Sequence, residues 1–315
     1  MHLLIPHASA LSPACAQTLS DLALPNLTEL LGRLDRQTSF DGDEYLLSPP
    51  HERALAAHLG LRGDDGALPW AARAAAADGI DVGDLAWGQL TPVHWQVGRD
   101  YVTLANPATL ALAEAESRAL FERVRELFES EGFTLRWGAP LRWYAAHDSL
   151  DGLPCASIDR VIGRNIDLWL QTDTARFPQA GLIRRLQNEV QMLLYTDPLT
   201  DQREAKGLPP VNSFWLSGCG RAQPVAEAAG LRIDDRLREP MLAENWEAWV
   251  EAWRALDAGP LGELLGALRR GDAGVALTLC GERSAQTLAA APRNLWRRLQ
   301  RHWQPVDAAR WLEAL

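Results

Sequence analysis

Lysine is almost missing from this chain. Lys206 is the only one in 315 residues, and with arginine included the basic side chains number 31 against 41 acidic ones. A formal net charge of −10 leaves no general basic surface to displace counterions from a phosphate backbone, which disfavours nucleic acid as the primary partner. Cysteine is scarce as well. Cys15, Cys155, Cys219 and Cys280 are scattered, with no Cys-x-x-Cys pair. That pattern argues against a disulfide framework or a zinc ribbon and suits a reducing compartment. No apolar run approaches the roughly 18 residues that a membrane helix needs, so no membrane partner is expected. The opening residues lack a basic stretch and carry His2, Pro6 and His7, unlike a secretory signal. The expected location is the cytoplasm.

What is present is a globular composition. Hydrophobic residues make up 47% and charged residues 23%, enough for one large domain or two modest ones. There are 13 tryptophans, large side chains that fix packing or interfaces.

Local signals divide the chain. His2–Pro6 reads as a buried strand. Ser12-Pro13 opens a helix with serine as N-cap and proline in the first turn. Leu27, Leu30, Leu31 and Leu34 give the spacing of a packed helix. The polar stretch Asp35–Tyr45 reads as a loop. Helices are expected from Pro50 or His51 to Leu59 and over Leu68–Ala77. Ala86–Gln96 and Tyr101–Ala105 then suggest a hairpin around Gly98-Arg99-Asp100. A helix over Leu112–Ser130 and strands at Phe133–Trp137 and Leu141–Ala145 complete a ββαββ segment. In the second half, a helix over Gly181–Tyr195 precedes a strand, Val211–Leu216, that runs into Ser217-Gly-Cys-Gly220. Helices at Glu244–Leu256 and Leu261–Arg269, a strand at Val275–Leu279, and helices near Asn294–Trp303 and Asp307–Leu315 close the chain. Strands alternating with helices imply an α/β fold with a mostly parallel core sheet. The expected divisions are a first core part (1–85), an inserted α+β lobe (86–165) and a second core part (166–315).

Several groups carry possible chemistry. A strand running into Gly-x-Gly presents free N–H groups that can hold a phosphate or carboxylate, or it is an ordinary strand-to-helix turn. His7 lies just past the first strand and His51-Glu52 at the head of a helix. Ligands gather at the carboxyl ends of strands in α/β sheets, so these residues are candidate metal ligands or an acid/base pair. Cys280-Gly-Glu-Arg283 follows a strand, where a cysteine is a nucleophile or a small buried residue. Trp246, Trp249 and Trp253 share one helix face, as core or as a protein interface. Arg297, Arg298, Arg301 and His302 form a basic patch.

Some of these pieces match one family. Pro210-Val-Asn-Ser-Phe-Trp-Leu-Ser-Gly-Cys-Gly220 resembles the Pro-Ala-Asn…Trp-Leu-Trp-Gly-Gln-Gly strand of archaeal-type cofactor-independent phosphoglycerate mutases, in the alkaline phosphatase superfamily. Arg203 and Gly207 precede it at the family's spacing. Tyr101–Glu126 resembles the start of the family's inserted domain and Asp159–Leu170 its exit, so that about the first 220 residues are covered. Within that group, Leu46-Leu-Ser-Pro-Pro-His-Glu-Arg-Ala-Leu-Ala, Trp215-Leu-Ser-Gly-Cys-Gly and Leu277-Thr-Leu-Cys-Gly-Glu-Arg283 are similar to bacterial RpfE-type regulatory proteins.

The resemblance implies a shortened alkaline-phosphatase-like core with an inserted lobe, and it exposes departures. The mutases use two divalent cations and a serine nucleophile. Their Asp-Gly after the first strand corresponds to Pro6-His7-Ala8 here, and their Gly-Ser-Asp to Pro50-His51-Glu52. No Asp-His or Gly-His dipeptide occurs in the chain, and Cys280-Gly281 stands in the place of one. The first expectation is therefore a non-catalytic regulatory protein, without a cofactor. It would bind a small anionic or phosphorylated ligand through Asn212, Ser217, Gly218 and Gly220, with His7, His51 and Arg203 nearby. The second is a metal-dependent mutase-like or phosphatase-like enzyme with Zn or Mn on a rebuilt site of His7, His51, Glu52 and Glu282. The third is a scaffold that contacts a protein partner through the Trp246, Trp249 and Trp253 face or the Arg297–His302 patch.

Overall fold

The computed structural model describes residues 1–170, 173–226, 230–290 and 306–315. In chain order the strands are β1 (His2–Ile5), β2 (Asp35–Asp41), β3 (Ala86–Val93), β4 (Trp95–Val97), β5 (Val102–Leu104), β6 (Thr134–Ala139), β7 (Arg142–Ala146), β8 (Ser213–Arg221), β9 (Leu231–Ile233), β10 (Ala276–Cys280) and β11 (Ser284–Ala289). The α-helices are α1 (Pro13–Ser20), α2 (Pro25–Arg33), α3 (Pro50–Leu59), α4 (Trp70–Ala77), α5 (Glu114–Glu129), α6 (Ile158–Val161), α7 (Gln179–Tyr195), α8 (Pro198–Ala205), α9 (Arg238–Leu242), α10 (Trp246–Leu256), α11 (Gly262–Arg270) and α12 (Ala308–Glu313). Two compact units result. The first comprises Met1–Tyr45, Pro49–Leu59 and Ala226–Leu315, the second Leu46–Ser48 and Gly60–Val225.

The first unit is built on a five-stranded sheet of order β2-β11-β10-β1-β9. β1 pairs parallel with β10 and with β9, whereas β10–β11 and β11–β2 are antiparallel. The sheet is thus mixed, not mostly parallel as the alternation of strands and helices suggested. A short turn at Gly281-Glu-Arg283 folds β11 straight back on β10, where a parallel strand would need a helical crossover. Asp35–Asp41 forms the edge strand β2 and not a loop. It reads as polar because an edge strand exposed on both faces needs no apolar alternation.

Alternation along the central strands sorts the core. Leu3, Ile5, Leu277 and Leu279 point to one face and pack with Leu27, Leu30 and Leu31 of α2, Leu264 and Leu265 of α11, and Leu312 of α12. Trp249 and Trp253 of α10 lie fully buried in the same core, stacked edge to face at 6.0 Å. Leu4, Cys280 and Ala285 point to the other face, where Ala54 and Leu55 of α3 cover them. Ser12 caps α1 as expected, its Oγ accepting from the Cys15 N–H at 3.2 Å.

The second unit carries an antiparallel sheet of order β6-β7-β3-β8 and a β4–β5 hairpin. α5 and α7 pack on one face through Leu120, Phe121, Val124, Leu186 and Val190. On the other face Ala71, Ala72 and Ala75 of α4 pack against Trp87, Tyr144 and Ala146. The second unit is thus of α+β type. The expected lobe limits of 86 and 165 differ from those of the second unit, because β8 completes the sheet beside β3, and α4 and α7 cover its two faces.

Candidate functional site

The stretch expected to turn out of a strand as an anion cradle is itself part of a strand. Ser217–Gly220 does not follow a strand but lies inside β8. Gln89 pairs with Ser217 and Trp87 with Gly220, so Gly218 and Cys219 together oppose Gly88 in a bulge. Gly218 has φ +66°, and a Cβ there would lie 2.9 Å from the Ala71 backbone nitrogen. A Cβ on Gly220 would lie 3.1 Å from Pro69. Both glycines let the start of α4 approach the strand, a packing demand that sequence alone does not separate from phosphate binding.

The polar residues expected around that cradle are also committed. Asn212 accepts from the Trp95 N–H at 2.8 Å and donates to the Trp95 carbonyl at 3.0 Å, which braces the hairpin. Arg203 is buried. It donates to Glu116 at 2.6 Å, to the Pro209 carbonyl at 3.0 Å and to the Leu110 carbonyl. Its guanidinium is thus engaged inside the second unit.

The histidines behave differently. His7 follows β1 on the first unit's sheet, at the carboxyl end shared by the parallel strands β1, β9 and β10. It is buried, with φ +57°, a left-handed conformation uncommon for a residue with a side chain. Two bonds hold its loop. The Trp249 indole N–H donates to the His7 carbonyl at 3.3 Å, and the Ala8 N–H donates to the Cys280 carbonyl at 2.8 Å. His51, in the first turn of α3, faces it with ring centroids 4.7 Å apart. Each ring offers a nitrogen within 4.8 Å of one on the other. The other expected ligands do not join the pair. Glu52 adjoins His51 on α3 but is not grouped with it, and the Glu282 carboxylate accepts from the Leu11 N–H at 2.8 Å.

A second histidine pair was missed. His2 and His58 lie 5.1 Å apart, and a His2 ring nitrogen lies 2.7 Å from the Thr278 hydroxyl. Burial, then His58 and the terminal ammonium, push the His2 pKa down from 6.5 to about 4, so this ring is neutral near pH 7. The signal was available in sequence, because His51 and His58 are two turns apart on one helix face. α3 thus runs antiparallel to β1, with one histidine pair at each end.

The remaining candidates settle into the fold. Cys280 is fully buried, and burial pushes its thiol far above the ordinary range, which suits a packing residue and not a nucleophile. Trp249 and Trp253 are core, and Trp246 is half-buried, so two of the three tryptophans serve packing. The Arg297–His302 patch lies outside the described residues. Among those residues no helix is long and apolar enough to cross a membrane.

No family model and no curated protein matches the chain. Among solved structures it is similar to a cofactor-independent phosphoglycerate mutase from Thermoplasma acidophilum DSM 1728, at 12% identity and a TM-score of 0.35, over 91% of this chain and 88% of that one. It is also similar to the PH0037 protein from Pyrococcus horikoshii, at 12% identity and a TM-score of 0.45, over 92% of this chain and 87% of that one. Likenesses at this level assign neither family nor activity, and the RpfE-type resemblance gains nothing from them.

Proposed function

We propose that the protein is a regulatory binding protein whose site is the His7–His51 pair and whose ligand is one divalent transition-metal ion, Zn²⁺ or Mn²⁺. The observation that carries this reading is the imidazole pair itself, His7 buried and His51 half-buried, with His7 held in a left-handed backbone conformation at the carboxyl end of β1. Strained residues persist where the surroundings enforce them, and they concentrate at functional sites. Neutral imidazoles bind such ions at about 2.0–2.1 Å, so two nitrogens sharing one tetrahedral ion stand roughly 3.3 Å apart. Small ring rotations bring nitrogens within 4.8 Å to that spacing. Binding is favoured over phosphoryl transfer because Pro6-His7-Ala8 and Pro50-His51-Glu52 supply no serine nucleophile and only one carboxylate for two-metal chemistry.

The test is metal stoichiometry by elemental mass spectrometry, after incubation with Zn²⁺ or Mn²⁺ and desalting. About one ion per chain is expected for the wild type and none for His7→Ala with His51→Ala. His7→Gly separates the ring from the backbone. It removes a ligand yet suits φ +57°, so affinity should fall by more than the roughly 10–100-fold that losing an outer-shell partner costs, with folding intact. About two ions per chain, or metal-dependent phosphate release from p-nitrophenyl phosphate, would restore a phosphoryl-transfer enzyme. No bound ion would end the metal reading and turn the search to small anions.

A further inference from the structure

Cys155 and Cys219 are far apart in sequence, and the fold of the second unit brings them together. Their sulfurs lie 3.7 Å apart. Cys219 is buried in the β8 bulge opposite Gly88, where a Cβ on residue 88 would stand 3.2 Å from its sulfur. The glycine thus makes room for the thiol. Cys155 is half-buried, and its N–H donates to the Gly66 carbonyl at 2.9 Å. It lines a small apolar cleft with Leu153, Trp169, Ile183, Arg184 and Trp215, which Cys219 does not line. The cleft has about 40 Å³ of room for the centres of water-sized molecules. A single water needs roughly 10–15 Å³ on that measure, so the cleft holds two or three atoms' worth of small polar solute and no peptide.

We propose that Cys155 is a peroxide-reactive cysteine and Cys219 its resolving partner, so that the second unit carries a reversible thiol–disulfide switch. The oxidant is hydrogen peroxide, which the cleft admits, and not glutathione disulfide, which is too large. In the first step the Cys155 sulfur, as thiolate, attacks one peroxide oxygen and the O–O bond breaks. The product is a Cys155 sulfenic acid, and the second oxygen leaves as water after taking up the thiol proton. In the second step the Cys219 sulfur attacks the Cys155 sulfur and the S–OH bond breaks. The hydroxyl leaves with the Cys219 proton as a second water, and the disulfide forms. Two thiols lose two electrons and the peroxide gains them. The sulfurs must close from 3.7 Å to about 2.05 Å, a movement within the reach of χ1 rotations where Gly88 leaves space. A cytosolic pair of this kind is transient and redox-sensing in character.

The experiment treats the folded full-length chain with limiting hydrogen peroxide, alkylates the remaining thiols after unfolding, and maps peptides without reduction. The expected result is the loss of two of the four alkylatable thiols, a linked peptide pair holding Cys155 and Cys219, and recovery of both thiols with dithiothreitol. In Cys219→Ser, dimedone should trap a sulfenic acid on Cys155. In Cys155→Ser, Cys219 should stay reduced. Four alkylatable thiols after peroxide treatment would overturn the proposal, as would linkage to Cys15 or Cys280, or a Cys219→Ser protein without a dimedone adduct on Cys155. The wild-type peptide map decides the matter by itself if either variant fails to fold.

Discussion

β1 and β8 each lead apolar residues into a short stretch rich in small or polar ones, yet only β1 ends in a cluster of chemical groups. The difference lies in their neighbours. β1 is flanked by two parallel strands, so three strands deliver their carboxyl ends to one edge, where His7 meets His51 of α3. β8 pairs antiparallel with β3 over nearly its whole length, and α4 lies on its glycines. Ser217 and Gly220 are taken up in pairing with β3, and Gly218 packs against the start of α4. A glycine-rich strand end is thus a site only where the topology leaves it open.

Three substitutions would break or sharpen that contrast. The largest effect is expected from Arg203→Ala, which leaves Glu116 only its longer contact to Lys206 at 3.7 Å and strips the Leu110 and Pro209 carbonyls of a donor. Loss of one member of a buried ion pair costs about 3–5 kcal/mol, read as a lower urea midpoint, while metal uptake at His7–His51 stays unchanged. If Arg203→Ala instead leaves stability alone and abolishes binding of a phosphorylated ligand, β8 is a site after all. Gly218→Ala comes next. A Cβ at φ +66°, pressed on the Ala71 nitrogen, should cost about 2 kcal/mol from backbone strain and overpacking together. An unchanged midpoint there would mean that α4 does not need the glycine. The smallest effect belongs to Trp249→Phe. It keeps an aromatic ring in the core but removes the N–H that bonds the His7 carbonyl, so about 1 kcal/mol of stability is expected to go. Metal affinity should fall a few-fold because the His7 loop loses a tether. Equal affinity in the two proteins would show that the loop is held without that bond.

Much of the local structure was legible in the chain itself. Ser12-Pro13 capped and opened α1, the leucine spacing predicted α2, Gly98-Arg99-Asp100 made the β4–β5 turn, and the ββαββ run gave β3 to β7 with α5. His7 and His51 were singled out because a residue past a first strand and a residue opening a helix both tend to face the carboxyl edge of a sheet. Asn212 and Arg203 were misread because a polar residue beside a glycine-rich strand carries the same letters whether it binds a ligand or braces a hairpin. β2 was missed because its exposure erases the alternation that marks a strand. His51 and His58 share one helix face in the sequence, but that His2 meets His58 is settled only by the antiparallel packing of α3 on β1.

Composition, capping residues and periodicity act over a few residues, so the chain alone determined where most helices start and which strands carry apolar alternation. Tertiary structure decided the rest: the mixed direction of the first sheet, the closure of β8 against α4, the approach of His7 to His51 and that of Cys155 to Cys219. Each of these depends on which distant segments pair, and pairing is settled by the combined burial of whole faces, a quantity that no short window of sequence contains.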